Sequence, residues 1–308
     1  MSPRKENLSL DSAYFVAFEM THHALKRALK EASSLSITQY RMLVKLASSD
    51  DPIGQSSLAS MLELRPNVVT QCINALEEQR FARRGGFEAD GRAKSVEATK
   101  EGIAHVATVN ESIVAQLYTL FPTQDAAWRA ILETSIAAGA FIDPPISERE
   151  TSCYPASRAL ASLERFRSAI EAGLREACGA SYSECRVMQL LGEQGRPLRI
   201  GDIAAQLRLS PVNVARAVDR LVARSWARRM GSPRDRKAVF VDATDCGRAQ
   251  QAVIARTVDT LGRDLLWKHL RRTQRDAIRA VTRTVIEGLR ESEQAEKHIE
   301  PDELIALP

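Results

Sequence analysis

Apolar residues Phe15, Phe18, Leu25 and Leu29 recur at the three- and four-residue steps of one helix face, and Leu160, Leu163, Ile170 and Leu174 repeat that stripe further along the chain. Each stripe predicts an amphipathic helix, and each is followed by the same series of elements. Residues 38–47 and 183–192 read as a helix with a Ser/Thr start. Residues 56–62 and 201–207 read as a short second helix. A turn, Leu64-Arg65-Pro66 or Leu209-Ser210-Pro211, leads into a third helix that runs to Gln79 or Arg224. Proline suits that entry, because its missing N–H would be unpaired in a first helical turn. A basic hairpin covers residues 83–99 and 228–244, with short return strands at 95–97 and 240–242. A long helix and a closing helix, the latter preceded by Thr123-Gln124 or Thr273-Gln274, end each series.

The two series superpose at a fixed offset of 145 residues without a gap. Arg41 falls on Arg186, Leu46 on Leu191, Pro52 on Pro197, Leu62 on Leu207, Pro66 on Pro211, Leu76 on Leu221 and Gly102 on Gly247. Solenoid repeats run about 20–50 residues, so this period marks a duplicated domain. The prolines at 144, 145 and 155 cannot continue a helix. The expected division is a first domain at 1–145, a linker at 146–156, a second domain at 157–298 and a tail at 299–308.

Helix, turn, helix and basic β-hairpin make a winged helix-turn-helix, whose second helix can enter a major groove about 12 Å wide. The wing sequences Asp90-Gly91-Arg92-Ala93 and Asp235-Arg236-Lys237-Ala238, each followed by Ala-Thr-x-x-Gly, resemble those of the MarR family of bacterial transcription regulators. The leucine-spaced helices upstream and the long flanking helices match as well, so the resemblance covers nearly the whole chain, twice. It implies a mostly α fold of two tandem winged helix-turn-helix domains, each with a small β-wing, arranged as a pseudo-two-fold fused dimer that works as a single chain. It also implies a double-stranded DNA operator as partner and, for many relatives, an aromatic or acidic small-molecule effector.

Charge separates the two readers. Residues 1–150 hold 16 Lys+Arg and 19 Asp+Glu, a net of −3; residues 151–308 hold 27 and 20, a net of +7. The second copy offers Ser210, Asn213, Arg216 and Arg220 on its recognition helix, with Arg234, Arg236 and Lys237 in its wing. The first offers Asn67, Thr70, Gln71 and Asn74, with Arg92 and Lys94 in the wing beside Glu88 and Asp90. Arg suits guanine edges and Asn or Gln suits adenine. An asymmetric or imperfectly palindromic operator is expected, with the second half-site carrying more of the salt-sensitive affinity. In the family the wing Asp commonly orients an Arg two residues on. Asp90 and Arg92 keep that pair, whereas Asp235 faces Lys237, which lacks the planar fork, so insertion passes to Arg236 or Arg234.

Each apolar stripe is interrupted by one polar residue, His22 in the first and Arg167 at the matching position of the second. A cation on an inward face needs a partner. Arg167 and His22, with Phe18 and Leu163, are therefore candidate contacts for an acidic aromatic ligand. The alternatives are an internal salt bridge to a neighbouring Glu, or an Arg stem laid along the apolar face. His22-His23 lacks the cluster a metal site needs. Cys72, Cys153, Cys178, Cys185 and Cys246 are odd in number and without metal-type pairing, which suits a reducing cytoplasm. None shows the cation-rich surroundings of a sensor thiol.

No apolar run approaches the ~20 residues of a membrane helix, and residues 1–10 lack the apolar core of a secretory signal. Phosphate-loop, dinucleotide, nucleophile-elbow and zinc-protease motifs are missing, so no enzyme activity and no cofactor is expected. The leading expectation is a cytoplasmic repressor relieved by a small molecule. The alternatives are a protein-interaction scaffold with degenerate DNA readout, favoured by the weak first reader and the acidic-apolar tail, and a cysteine redox sensor.

Overall fold

The computed structural model describes residues 10–86, 94–231 and 239–297. Among these the chain forms α1 (Ser12–Ala32), α2 (Ile37–Ser48), β1 (Ile53–Gly54), α3 (Gln55–Leu62), α4 (Pro66–Glu78), β2 (Ala82–Gly86), β3 (Lys94–Ala98) and α5 (Lys100–Leu120). Then come α6 (Ala126–Ala138), α7 (Glu148–Cys153) and α8 (Pro155–Cys178). The series resumes with α9 (Tyr182–Gln194), β4 (Leu198–Arg199), α10 (Ile200–Leu207), α11 (Pro211–Ala223), β5 (Ala227–Gly231), β6 (Val239–Ala243), α12 (Asp245–Leu265) and α13 (Arg272–Lys297). Every element from α2 to α5 starts 145 residues before its counterpart from α9 to α12.

The repeated starts have repeated causes. Ser36 and Ser181 cap α2 and α9 in full capping boxes with Gln39 and Glu184, so both helices begin one residue earlier than the sequence pattern suggests. Each wing is a three-stranded antiparallel sheet, ordered β1-β3-β2 and β4-β6-β5. The two-residue strands β1 and β4 escaped the sequence reading. They pair Ile53 with Val96 and Leu198 with Val241, and so stitch the helix-turn-helix to the return strand of its wing.

The Ala-Thr-x-x-Gly motif after each wing is a clamp. Thr99 accepts a hydrogen bond from Gly102 N at 3.0 Å and donates to Arg80 O at 2.7 Å; Thr244 does the same with Gly247 N at 3.0 Å and Ser225 O at 2.6 Å. Each glycine then lies so close to a backbone carbonyl, that of Phe81 or Trp226, that a Cβ there would overlap it. The long helix thereby starts pressed against the turn that ends the recognition helix.

Compactness divides the chain into two units that are not contiguous in sequence. The N-terminal winged-helix unit comprises Thr21–Arg165 and Arg272–Ile278. The C-terminal unit comprises Phe166–Arg271, the residues up to Met20 and those from Arg279. Helices α1, α8 and α13 thus each contribute a segment to both. The first core is built on Leu25, Tyr40, Leu43, Leu58, Ile73, Leu76, Val96 and Ile113, and the second on Phe15, Phe166, Val187, Met188, Ile203, Val218, Leu221 and Ile254.

The stretch expected as a linker, residues 146–156, holds α7. Ser147 caps it, and Glu150, fully buried, accepts from Lys45 Nζ at 2.6 Å and Ile146 N at 2.9 Å.

A methyl group at the clamp would have to displace backbone. Gly102→Ala and Gly247→Ala are each expected to lower stability by about 1–3 kcal/mol, read as a lower urea midpoint at unchanged slope. Gly201→Ala, where a Cβ meets nothing, should leave the midpoint in place.

Candidate nucleic-acid interface

Recognition helices α4 and α11 bury one face and expose the other. In α4, Val69, Cys72, Ile73 and Leu76 are buried, while Asn67, Thr70, Gln71 and Asn74 are exposed. In α11, Val214, Ala217, Val218 and Leu221 are buried, while Ser210, Asn213, Arg216 and Arg220 are exposed. The eight helix residues expected from sequence therefore stand on two outward faces, one in each unit.

Their engagement differs. Ser210 caps α11 by accepting from Asn213 N at 3.2 Å. Its counterpart is Arg65, exposed and making no side-chain cap on α4. The sequence reading passed over Arg65, although its place one residue before Pro66 puts a guanidinium at the mouth of the first recognition helix. Thr70 Oγ1 donates to Pro66 O at 3.1 Å. Arg220 leans back to Glu184 at 3.3 Å, where Arg224 Nε also lies at 3.8 Å. Arg216 projects into solvent with no side-chain partner among the described residues.

The base of each wing is tied to its recognition helix at matching positions. Arg84 Nη2 donates to Asn74 Oδ1 at 2.6 Å and also pairs with Glu77; Arg229 pairs with Asp219 at 2.7 Å. The arginines next along, Arg83 and Arg228, pair across the hairpin with Glu97 at 2.5 Å and Asp242 at 2.6 Å. These four wing-base arginines serve as struts. Lys94 opens β3, backbone-paired with Gly86. Arg92, Arg234, Arg236 and Lys237 lie outside the described residues.

The polar breaks in the two stripes are each met by a carboxylate of their own unit. In the C-terminal unit Arg167 Nε donates to Glu19 at 3.1 Å, Nη1 reaches Glu171 at 3.4 Å, and the guanidinium lies 5.3 Å from the centre of the Tyr182 ring. In the N-terminal unit His22 Nε2 lies 2.7 Å from Glu164. Glu19 and Glu164 are 145 residues apart, as are His22 and Arg167, so the two pairs are equivalents. Phe18 packs edge-to-face on Phe166, ring centres 5.5 Å apart, in the C-terminal core, and Leu163 is half-buried in the N-terminal unit. The internal-salt-bridge alternative thus describes the partners seen.

Cys72 and Cys185 are buried, and burial raises both thiols above their ordinary range. Cys178 Sγ lies 3.9 Å from Cys185 Sγ. Cys153 and Cys246 are exposed.

The helices and small antiparallel sheets are consistent with two winged-helix units. The sequence model of the MarR family matches residues 181–239, which run from the cap of α9 to the start of β6. The matched segment is a MarR-type winged helix-turn-helix, the class to which DNA-binding transcription regulators of that family belong. Among solved structures, the chain is similar to Sco3205 of Streptomyces coelicolor, a MarR family transcriptional regulator in complex with DNA. The identity is 25%, over 42% of this chain and 81% of that one, with a TM-score of 0.39. It is similar to BpsR of Bordetella bronchiseptica at 22% identity, over 39% and 92% of the two chains, with a TM-score of 0.35. It is also similar to CouR of Rhodococcus jostii RHA1 at 21% identity, over 46% and 92%, with a TM-score of 0.32. None of the curated proteins compared matches the chain.

Thiol accessibility orders the cysteines. Under native conditions at neutral pH, iodoacetamide should modify Cys153 and Cys246 first and leave Cys72 and Cys185 protected until unfolding, as read by peptide mass mapping.

Proposed function

We propose that the chain is a sequence-specific, double-stranded DNA-binding transcription regulator, a repressor relieved by a small aromatic or acidic effector, whose two winged helices act as the two half-site readers of one fused pseudo-dimer. The observation that carries this reading is the duplicated outward polar face on α4 and α11, each backed by a buried apolar face and braced by its own wing. The match of residues 181–239 to the MarR family supports it. A relative in complex with DNA and another named for regulation of DNA binding by 6-hydroxynicotinic acid agree in kind.

The two readers are unequal in chemistry. At matched positions α4 presents Gln71 where α11 presents Arg216, and Asn74 where α11 presents Asp219. Arg216 can bind guanine O6 and N7 in a fork, whereas Gln71 prefers adenine. Among these helix faces the C-terminal one alone offers an unengaged guanidinium in mid-helix, so it supplies the base contact with the largest single charge.

Selection of bound sequences from a random duplex pool at about 150 mM salt tests the reading. The expected product is a site with two dissimilar half-sites whose centres lie about one helical turn, ~34 Å, apart. Arg216→Ala should cost about 1–3 kcal/mol on that site and relax preference at one position of one half-site; Gln71→Ala should act on the other half-site. A pool without enrichment would overturn the proposal in favour of a protein-binding scaffold, and interchangeable half-sites would overturn the division of labour.

A further inference from the structure

The outward ridges of the two recognition helices differ in chemistry at all three matched positions. In α4 the ridge is Asn67, Gln71 and Asn74, each a primary amide; in α11 it is Val212, Arg216 and Asp219. Asp219 is held by Arg229 at 2.7 Å, as Asn74 is by Arg84 at 2.6 Å, so the third position belongs to the wing strut in both copies. Val212 and Arg216 remain facing outward. Val212 is 59% exposed, more than any other large apolar side chain among the described residues.

The helix itself has no use for a valine there. The inward face of α11 is supplied by Val214, Ala217, Val218 and Leu221, and Ser210 and Pro211 provide the cap and the first turn. A β-branched side chain is a poorer helix former than Glu, Gln or Lys. It also brings the helix N-terminus neither a hydrogen-bond acceptor nor a negative charge. What Val212 offers is an apolar contact to whatever meets the outward face.

Its place on the helix narrows what that is. Val212 is the second residue of α11, and the N-terminal residues of a recognition helix are the ones that reach base edges in the major groove. Thymine's 5-methyl is the apolar group that a base pair shows in that groove. Arg216 follows one helical turn later on the same ridge and carries the fork that fits guanine. Four residues of α-helix rise about 6 Å, close to two base steps of about 3.4 Å each. In α4 the same two places hold Asn67 and Gln71, whose amides suit adenine.

We infer that Val212 reads a thymine through its 5-methyl group, within two base steps of the guanine bound by Arg216, and that the N-terminal reader, with Asn67 in that place, lacks this contact. The inference rests on the DNA-binding function proposed above and adds to it the base that Val212 specifies.

The test uses the full chain and the duplex enriched in the selection described above. The C-terminal half-site is the one where Arg216→Ala relaxes a guanine preference. Each thymine in it is replaced in turn by deoxyuridine, which removes the methyl and keeps every hydrogen-bonding group. Affinity is read by fluorescence anisotropy at about 150 mM salt. Deoxyuridine at one position within two steps of that guanine should weaken binding by about threefold to tenfold, the worth of one methyl buried against an apolar side chain. In Val212→Asn that loss should disappear, while deoxyuridine substitutions in the other half-site keep their effects. Asn stands at the matching place of α4, so the substitution suits the fold. No guanine preference lost in Arg216→Ala, no thymine within two steps of that guanine, no loss with deoxyuridine, or a loss undiminished in Val212→Asn would each overturn this inference and leave DNA binding standing. A pool without enrichment would overturn both.

Discussion

A cation buried in protein must find an anion or a set of acceptors, and this requirement shapes both units of the chain. The matched arginines of α2 and α9 show it. Arg41 is answered by Asp143, which lies after α6 in the loop that precedes α7. Arg186 donates to Leu207 O at 2.6 Å, with Tyr182 and Glu19 close by. Burial lowers the pKa of both guanidiniums, and in each case a neighbouring acidic group opposes that shift. Lys45 goes further: by engaging Glu150, Asp143 and Pro144 O it draws the stretch from residue 143 to residue 150 into the first core. A segment that its prolines mark as a connector is thus folded structure, because its acids are needed inside.

This explains what was legible in the sequence and what was not. The repeat exposed the order of elements, since caps, turn prolines and the Thr-x-x-Gly clamp are local features that recur at the same offset. The outward residues of α4 and α11 followed from helical periodicity alone. The strands β1 and β4 did not, because two residues carry no alternation to detect and their pairing with β3 and β6 is set by tertiary contact. Nor did the partners of the inward charges. Glu19 meets Arg167 across 148 residues and Lys45 meets Glu150 across 105, separations at which spacing says nothing. Arg158, in an Ala/Ser-rich first turn, resembles a solvated helix-start residue until its burial is seen.

The struts between wing and recognition helix bear on mechanism. Arg84 and Arg229 link the outgoing wing strand to the exposed side of α4 and α11, and the Thr-x-x-Gly clamp holds the return strand's end against the turn after each recognition helix. Helix and wing base in one copy therefore form one rigid block. On the function proposed above, reading two half-sites would depend on the placement of two such blocks, and an effector would act on it only by binding one arrangement more tightly than another.

Carrying both copies in one chain changes what substitution can do. In a pair of identical subunits every change appears twice, so the cost of a buried arginine would be incurred twice and a lost base contact would be lost at both half-sites. Here each position and its 145-residue counterpart vary alone. Gln71 and Arg216 put an amide in one copy and a guanidinium in the other at matched exposed positions. His22 and Arg167 keep a carboxylate partner while differing in the side chain that meets it. Arg158 is buried in one unit and matches Ala13, while Gly262 in the other is packed against Leu10 and Trp267. The capping boxes of α2 and α9, the Thr-x-x-Gly clamps and the wing-base arginines match in both copies, whereas the recognition helices start differently, with Ser210 capping α11 and Arg65 making no cap on α4. What is kept includes the capping boxes and clamps that hold a winged helix together, and among the positions that differ are outward residues of the two recognition helices.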